Sequence, residues 1–169
     1  MLKPTSKLIV NEQKWLNLKR DFKGMDDMCT KIGLPQEGTP KQVVDAHSNK
    51  MVDLVQIAAV HEFGAPRRRV PERSFIRSTF DDNRGALKNL VTRCYNAVID
   101  GKFTPVQALS TVGEYLVGKT KNKIRNRIPP PLSPATIKAK TVGGKTGDVP
   151  LIDTAQLIQS IQHVEGPIA

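Results

Sequence analysis

Apolar positions along the chain repeat with two periods, and each period predicts a different kind of element. Lys7-Leu8-Ile9-Val10 reads as a short strand, after which Asn11 offers a side-chain cap to a helix. Trp15, Leu18, Phe22 and Met25 recur at three- and four-residue intervals, which predicts about four helical turns with that stripe in the core. Thr30 to Leu34 is a second predicted strand, closed by Pro35. Residues 35–50, with two prolines and Gly38, read as an exposed, mobile excursion. Ser48 is the expected cap of a further helix with Val52, Val55, Ala58 and Ala59 on its apolar face and Gly64 at its end, since glycine tolerates positive φ.

Pro66, Arg67-Arg68-Arg69 and Pro71 then predict a loop. Phe80, Leu87, Leu90 or Val91, Cys94 and Val98 predict one long amphipathic helix over 76–100, ended by Gly101. Thr104-Pro105-Val106-Gln107 is the clearest local signal. Thr104 is a cap, Pro105 suits the first helical position because its missing N–H has no partner there, and Gln107 completes a capping box. Leu109, Val112, Leu116, Ile124 and Ile128 continue one face until Pro129-Pro130-Pro131 stops the helix. Residues 129–150 read as a mobile arm with one short helical turn at 133–137. Asp153 is a predicted cap, followed by a brief helical turn through Leu157 and a terminal strand over 160–164.

These elements predict an α+β fold, a small antiparallel sheet packed by two long helices with extended loop arms. The 169 residues suit one domain, 1–169, with 38% hydrophobic and 25% charged positions, values ordinary for a globular chain. No apolar run approaches the ~20 residues of a membrane span and no signal-type stretch follows Met1, so a soluble, unexported protein is expected. Cys29 and Cys94 have no metal-type or disulfide-type spacing.

The net charge of +10 is unevenly placed, with nine bases against two acids in residues 101–150 and no base after residue 150. Lys119, Lys121, Lys123, Arg125 and Arg127 run without an intervening acid. That run has two readings. It is either a nucleic-acid-binding surface acting through counterion release, or a solvated helix end whose cations favour the macrodipole. A 5% aromatic content with no interleaving among the bases gives no platform for stacking single-stranded bases.

Catalytic patterns are weak. His61-Glu62 matches the start of a zinc-protease motif, but Ala65 stands at the second histidine position. His47 and His163 lie in other predicted elements, and Gly144-Lys145-Thr146 lacks the first glycine of a phosphate loop because Ala139 holds that place. The acid pairs Asp26-Asp27 and Asp81-Asp82 sit at predicted helix ends, where capping and dipole effects account for them. No enzyme activity, metal or cofactor is expected.

Three stretches in order carry a resemblance. They are Ala58-Ala59-Val60-His61-Glu62-Phe63-Gly64, then Val70-Pro71-Glu72-Arg73-Ser74-Phe75-Ile76-Arg77, then Pro131-Leu132-Ser133-Pro134 through Pro150-Leu151-Ile152-Asp153-Thr154-Ala155-Gln156-Leu157. Together they resemble tail-completion and head-to-tail joining proteins of tailed bacteriophages, the phage virion morphogenesis family. The resemblance implies a helix ending in an H/E-F-G turn (His61, Glu62, Phe63, Gly64), a proline–arginine–phenylalanine segment (Pro71, Arg73, Phe75) and a late turn (Asp153, Thr154, Leu157) before a terminal strand. It implies a structural ring subunit, commonly hexameric, that meets copies of itself, tail-tube and head-connector proteins. Its place would be the tail end or neck of the virion, and the host cytoplasm during assembly. The family implies no catalytic residues and no membrane, and a ring around a DNA channel allows non-specific contact with genomic DNA. Ser74 stands where the family usually has proline, which frees the backbone at Phe75. Ala155 stands where it usually has glycine, which argues against a positive-φ turn there.

Overall fold

The computed structural model describes residues 12–23, 27–35, 42–44, 51–142, 149–151 and 155–168. In chain order its elements are α1 (Glu12–Lys23), β1 (Met28–Gly33), β2 (Gln42–Val44), β3 (Met51–Asp53), α2 (Leu54–Phe63), α3 (Arg77–Asp82), α4 (Arg84–Ile99), α5 (Pro105–Arg125), α6 (Pro134–Val142), α7 (Gln156–Ser160) and β4 (Gln162–Pro167). The fold is α+β, as the periodicities predict. Its axis is α5, which starts as expected: Thr104 Oγ1 accepts from the Gln107 N–H at 3.2 Å and Gln107 Oε1 accepts from the Thr104 N–H at 2.8 Å.

The terminal strand β4 pairs antiparallel with β1, with Thr30 opposite Glu165 and Ile32 opposite His163. One face of this two-stranded sheet rests on α5. Approach is close because position 113 has no side chain: a Cβ on Gly113 would lie 2.6 Å from both Thr30 Oγ1 and His163 Cγ. A separate antiparallel pair joins β2 to β3, with Val43 opposite Val52. Residues 7–10, the other predicted strand, lie outside the described residues, as do Asn11, Met25 and Ser48.

Two apolar clusters lie along α5. Leu54, Ala58, Phe75, Ile124, Ile128, Leu157, Ile158 and Ile161 form the larger, at the carboxyl end of the helix. Cys94, Val98 and Ala108, with Phe22, Leu90 and Val112 against them, form the smaller at its start. Both cysteines are free thiols.

Five expectations need correction. The predicted helix over 76–100 is broken at Asn83 (φ −109°, ψ 9°), whose side chain donates to Thr79 O at 2.8 Å and so competes with the backbone ladder. The α1 stripe is core only at its end: Phe22 packs against the smaller cluster, whereas Trp15 is 54% exposed. Helix α2 is capped by Asp53, whose Oδ1 accepts from the Val55 N–H at 2.9 Å, and Val52 lies in β3 before it. Finally, Ala155 does adopt the left-handed conformation (φ 59°, ψ 1°) that alanine disfavours. The expected turn at 133–137 extends to the nine residues of α6.

Candidate functional site

The site is built where α2 ends. Gly64 takes φ 74°, and the chain turns back through a 3₁₀ turn at Pro66–Arg68. Ala65 and Val70 close this turn with reciprocal backbone hydrogen bonds of 2.8 and 3.1 Å. The returning strand lies tight against the helix end. The Arg73 N–H donates to His61 O at 2.7 Å, and a Cβ on Gly64 would meet Glu72 N at 2.9 Å. Here glycine is required twice, for its φ and for the space.

Glu62 occupies the last turn of α2, where a negative charge opposes the dipole of its own helix. Its carboxylate instead serves the start of another helix. The N–H groups ahead of α3 have no intrahelical acceptor, and Glu62 supplies one. Oε2 accepts from the Phe75 N–H at 2.8 Å and the Ile76 N–H at 3.0 Å. Oε1 accepts from the Arg77 N–H at 2.9 Å, from Ser74 Oγ at 2.7 Å and from Arg77 Nε at 3.2 Å. A buried side chain thus caps a helix that begins fifteen residues later in the sequence.

Two arginines extend the clamp. Arg77 donates through Nη2 to Glu62 O at 2.9 Å and to Glu72 Oε1 at 2.7 Å, and its guanidinium lies 4.8 Å from the centre of the Phe63 ring. Arg73 is buried and reaches across to the segment after α5, donating to Pro130 O at 2.9 Å and Pro131 O at 3.3 Å. One cluster therefore fixes α2, α3 and the start of the arm that leads to α6. Phe75, between the two arginines, is fully buried in the larger core.

The electrostatics follow from this geometry. Burial alone would raise the Glu62 carboxyl, but the N–H groups of Ile76 and Arg77, the Ser74 hydroxyl and the Phe75 N–H outweigh it and hold the pKa below the ordinary value. His61 is pushed down by burial and then by the neighbouring Arg73 charge, which keeps it neutral. A carboxylate that serves five donors and is held ionised is a structural anion, with little capacity left to take a proton from a substrate. Among the described residues no group of three His, Cys, Asp or Glu side chains is placed to hold a metal.

Of the residues singled out in the sequence, His61, Glu62, Phe63, Gly64, Pro71, Arg73 and Phe75 come together here. Leu157 is buried in the larger core, while Asp153 and Thr154 lie outside the described residues. Ser74 and Arg77 were missed as clamp members. Ser74 does more than free the backbone: its Oγ donates to Glu62 and accepts from the Ser78 N–H at 3.2 Å. The signal available was Glu62 itself, an acid at the wrong end of its helix.

The basic run does not form one stripe. At ~100° per residue, Lys121 and Arg125 face about 200° away from Lys119 and Lys123, with the buried Thr120 and Ile124 between. Lys119 sits 5.4 Å over the Tyr115 ring, Lys123 pairs with Asp82, and Arg125 donates to Asn122 at 3.3 Å. Arg127 lies beyond the helix at φ 58°. No family model, curated protein or solved structure matches this chain.

Proposed function

We propose that the chain is a structural, non-enzymatic virion protein, a ring subunit that completes a bacteriophage tail or joins it to the head. The observation that carries this reading is an apolar face left open by α1 and α4. Val91, Tyr95 and Ile99 recur at four-residue spacing on α4, and Trp15 of α1 lines a groove with Tyr95 and Ile99, all four of them exposed. Between the helices is a groove of about 530 Å³ lined by Trp15, Leu18, Phe22, Tyr95 and Ile99, with Lys19 and Lys23 at its edge. Aromatic side chains on an apolar patch bordered by charge are the usual makings of a protein interface.

The clamp gives secondary support. Two of the three stretches that carry the resemblance, 58–64 and 70–77, meet in one buried hydrogen-bonded cluster, as segments that specify a shared framework would. In the ring, the α1–α4 face of one copy meets its neighbour, and the remaining surface meets tail-tube and connector proteins.

Sedimentation velocity over a range of concentrations tests this, comparing the wild-type chain with Tyr95→Asp. Wild type is expected to sediment as a closed assembly of several copies, and the variant as a monomer with an unchanged thermal midpoint. A wild-type chain that stays monomeric throughout, and does not associate with tail-tube or connector proteins, overturns the proposal.

A further inference from the structure

The loop between α2 and α3 carries Arg67, Arg68 and Arg69 at its tip, and all three are exposed. The backbone beneath them is fixed. Besides the reciprocal Ala65–Val70 pair, the Arg68 N–H donates to Ala65 O at 2.9 Å and the Arg69 N–H to Pro66 O at 3.0 Å. Pro66 and Pro71 restrict φ on either side. Arg69 closes the turn in a left-handed conformation (φ 56°, ψ 29°). Three exposed arginines thus stand in succession on one hydrogen-bonded turn.

Their charges are unspent. Among the described residues no carboxylate pairs with any of the three, because Glu62 and Glu72, the acids nearest in sequence, are both held by Arg77. This contrasts with the helix end at 119–127, where Lys123 is paired and the charges divide between two sides.

We propose that the Arg67–Arg69 tip is a contact site for the phosphate backbone of duplex DNA. Arginine presents a planar fork that bonds two phosphate oxygens at once, and a turn already closed by hydrogen bonds loses little backbone entropy on binding. The tip, residues 65–71, contains no aromatic residue. It therefore lacks the platform on which unpaired bases stack. What remains is charge on an ordered frame, suited to phosphates and indifferent to base sequence. The inference does not depend on the ring reading.

The test is fluorescence anisotropy of the full chain with a labelled mixed-sequence DNA duplex, titrated across salt concentration. Each phosphate contact adds about −0.9 to the slope of log affinity against log salt. Arg67→Gln/Arg68→Gln/Arg69→Gln is expected to flatten the slope by about 2.7, and Arg67→Gln/Arg68→Gln, which leaves the left-handed residue untouched, by about 1.8. If the triple variant unfolds, the double variant decides. Lys119→Gln/Arg125→Gln, on the helix end, is expected to leave most of the slope in place.

An unchanged slope in the loop variants overturns the proposal, as does a loss confined to the helix-end variant. Binding of polyglutamate or single-stranded DNA in preference to the duplex overturns it also. Sedimentation of the same samples separates the two claims, since a monomer that shows the loop-dependent slope refutes the ring and leaves the DNA contact standing.

Discussion

Replacing Glu62 by alanine removes the acceptor on which five donor groups converge. The Phe75 N–H is buried and finds no water, and orphaning such a group costs about 1–3 kcal/mol. The Ile76 and Arg77 N–H groups are part-buried, so partial hydration limits their loss to roughly 1 kcal/mol each. The Arg77 side chain is half exposed and loses little. Removing an acid from the carboxyl end of α2 returns ~0.3–1 kcal/mol. The expected net loss is about 3–4 kcal/mol, a large part of the ~5–15 kcal/mol that holds a domain together. In a chain of this size that lowers the thermal midpoint by roughly 6–16 °C. Urea unfolding followed by far-ultraviolet circular dichroism, extrapolated linearly with a shared slope, measures it. Glu62→Gln keeps the shape but turns an NH₂ group toward the backbone donors, so it is expected to lose about 2 kcal/mol. A loss below about 1 kcal/mol in both variants would refute the assignment of Glu62 as the cap of α3.

Three further outcomes are expected. Gly64→Ala should lose more than ~1 kcal/mol, because alanine must adopt φ 74° with its Cβ 2.9 Å from Glu72 N; an unchanged urea midpoint would show that the turn relaxes freely. Thr104→Ala should lose ~1 kcal/mol by opening the capping box of α5, read in the same assay, and a neutral result would mean that packing alone fixes this helix start. Stability should fall with acid in two stages, measured as thermal midpoint against pH. His61 is held below its ordinary value of 6.5, so the unfolded chain takes up a proton there first and stability declines as pH drops past 6.5. Glu62 is also held below its ordinary 4.5, so its contribution is full above that pH and fades as pH falls through the lower folded value. Glu62→Gln should abolish only the second stage; an acid limb identical to wild type would contradict the shifted carboxyl.

Local signals were the legible part of this fold. The Thr104–Gln107 box and the Gly64 stop work through atoms within a few residues, so sequence alone identifies them. A carboxyl-terminal strand exists but lies later than the expected 160–164, at Gln162–Pro167, because Ser160 ends α7; it pairs with β1. Periodicity failed where it was asked what a face meets. Trp15, Leu18 and Phe22 do share one side of α1, but of the three it is Phe22 that packs against the smaller cluster, while Trp15 lies exposed in a groove with Tyr95 and Ile99. The break at Asn83 was hidden because the apolar spacing runs through it, while the side-chain bond to Thr79 O that interrupts the helix leaves no mark on hydrophobicity. The clamp was legible as a set of residues and illegible as a device. Its partners are twelve to fifteen positions apart, and three of its donors are backbone groups, which carry no residue type. Ala155 shows the same limit from another side, since its left-handed turn is imposed by packing of α7 against the core and not by its own preference.

The central proposal, a ring subunit joined through the α1–α4 face, is tested most directly by electron microscopy of the purified chain at concentrations where it sediments as one species. Class averages should show closed rings of identical copies, dispersed to single subunits by Tyr95→Asp. Uniform monomeric particles at every concentration, or rings that persist unchanged in that variant, would contradict the account.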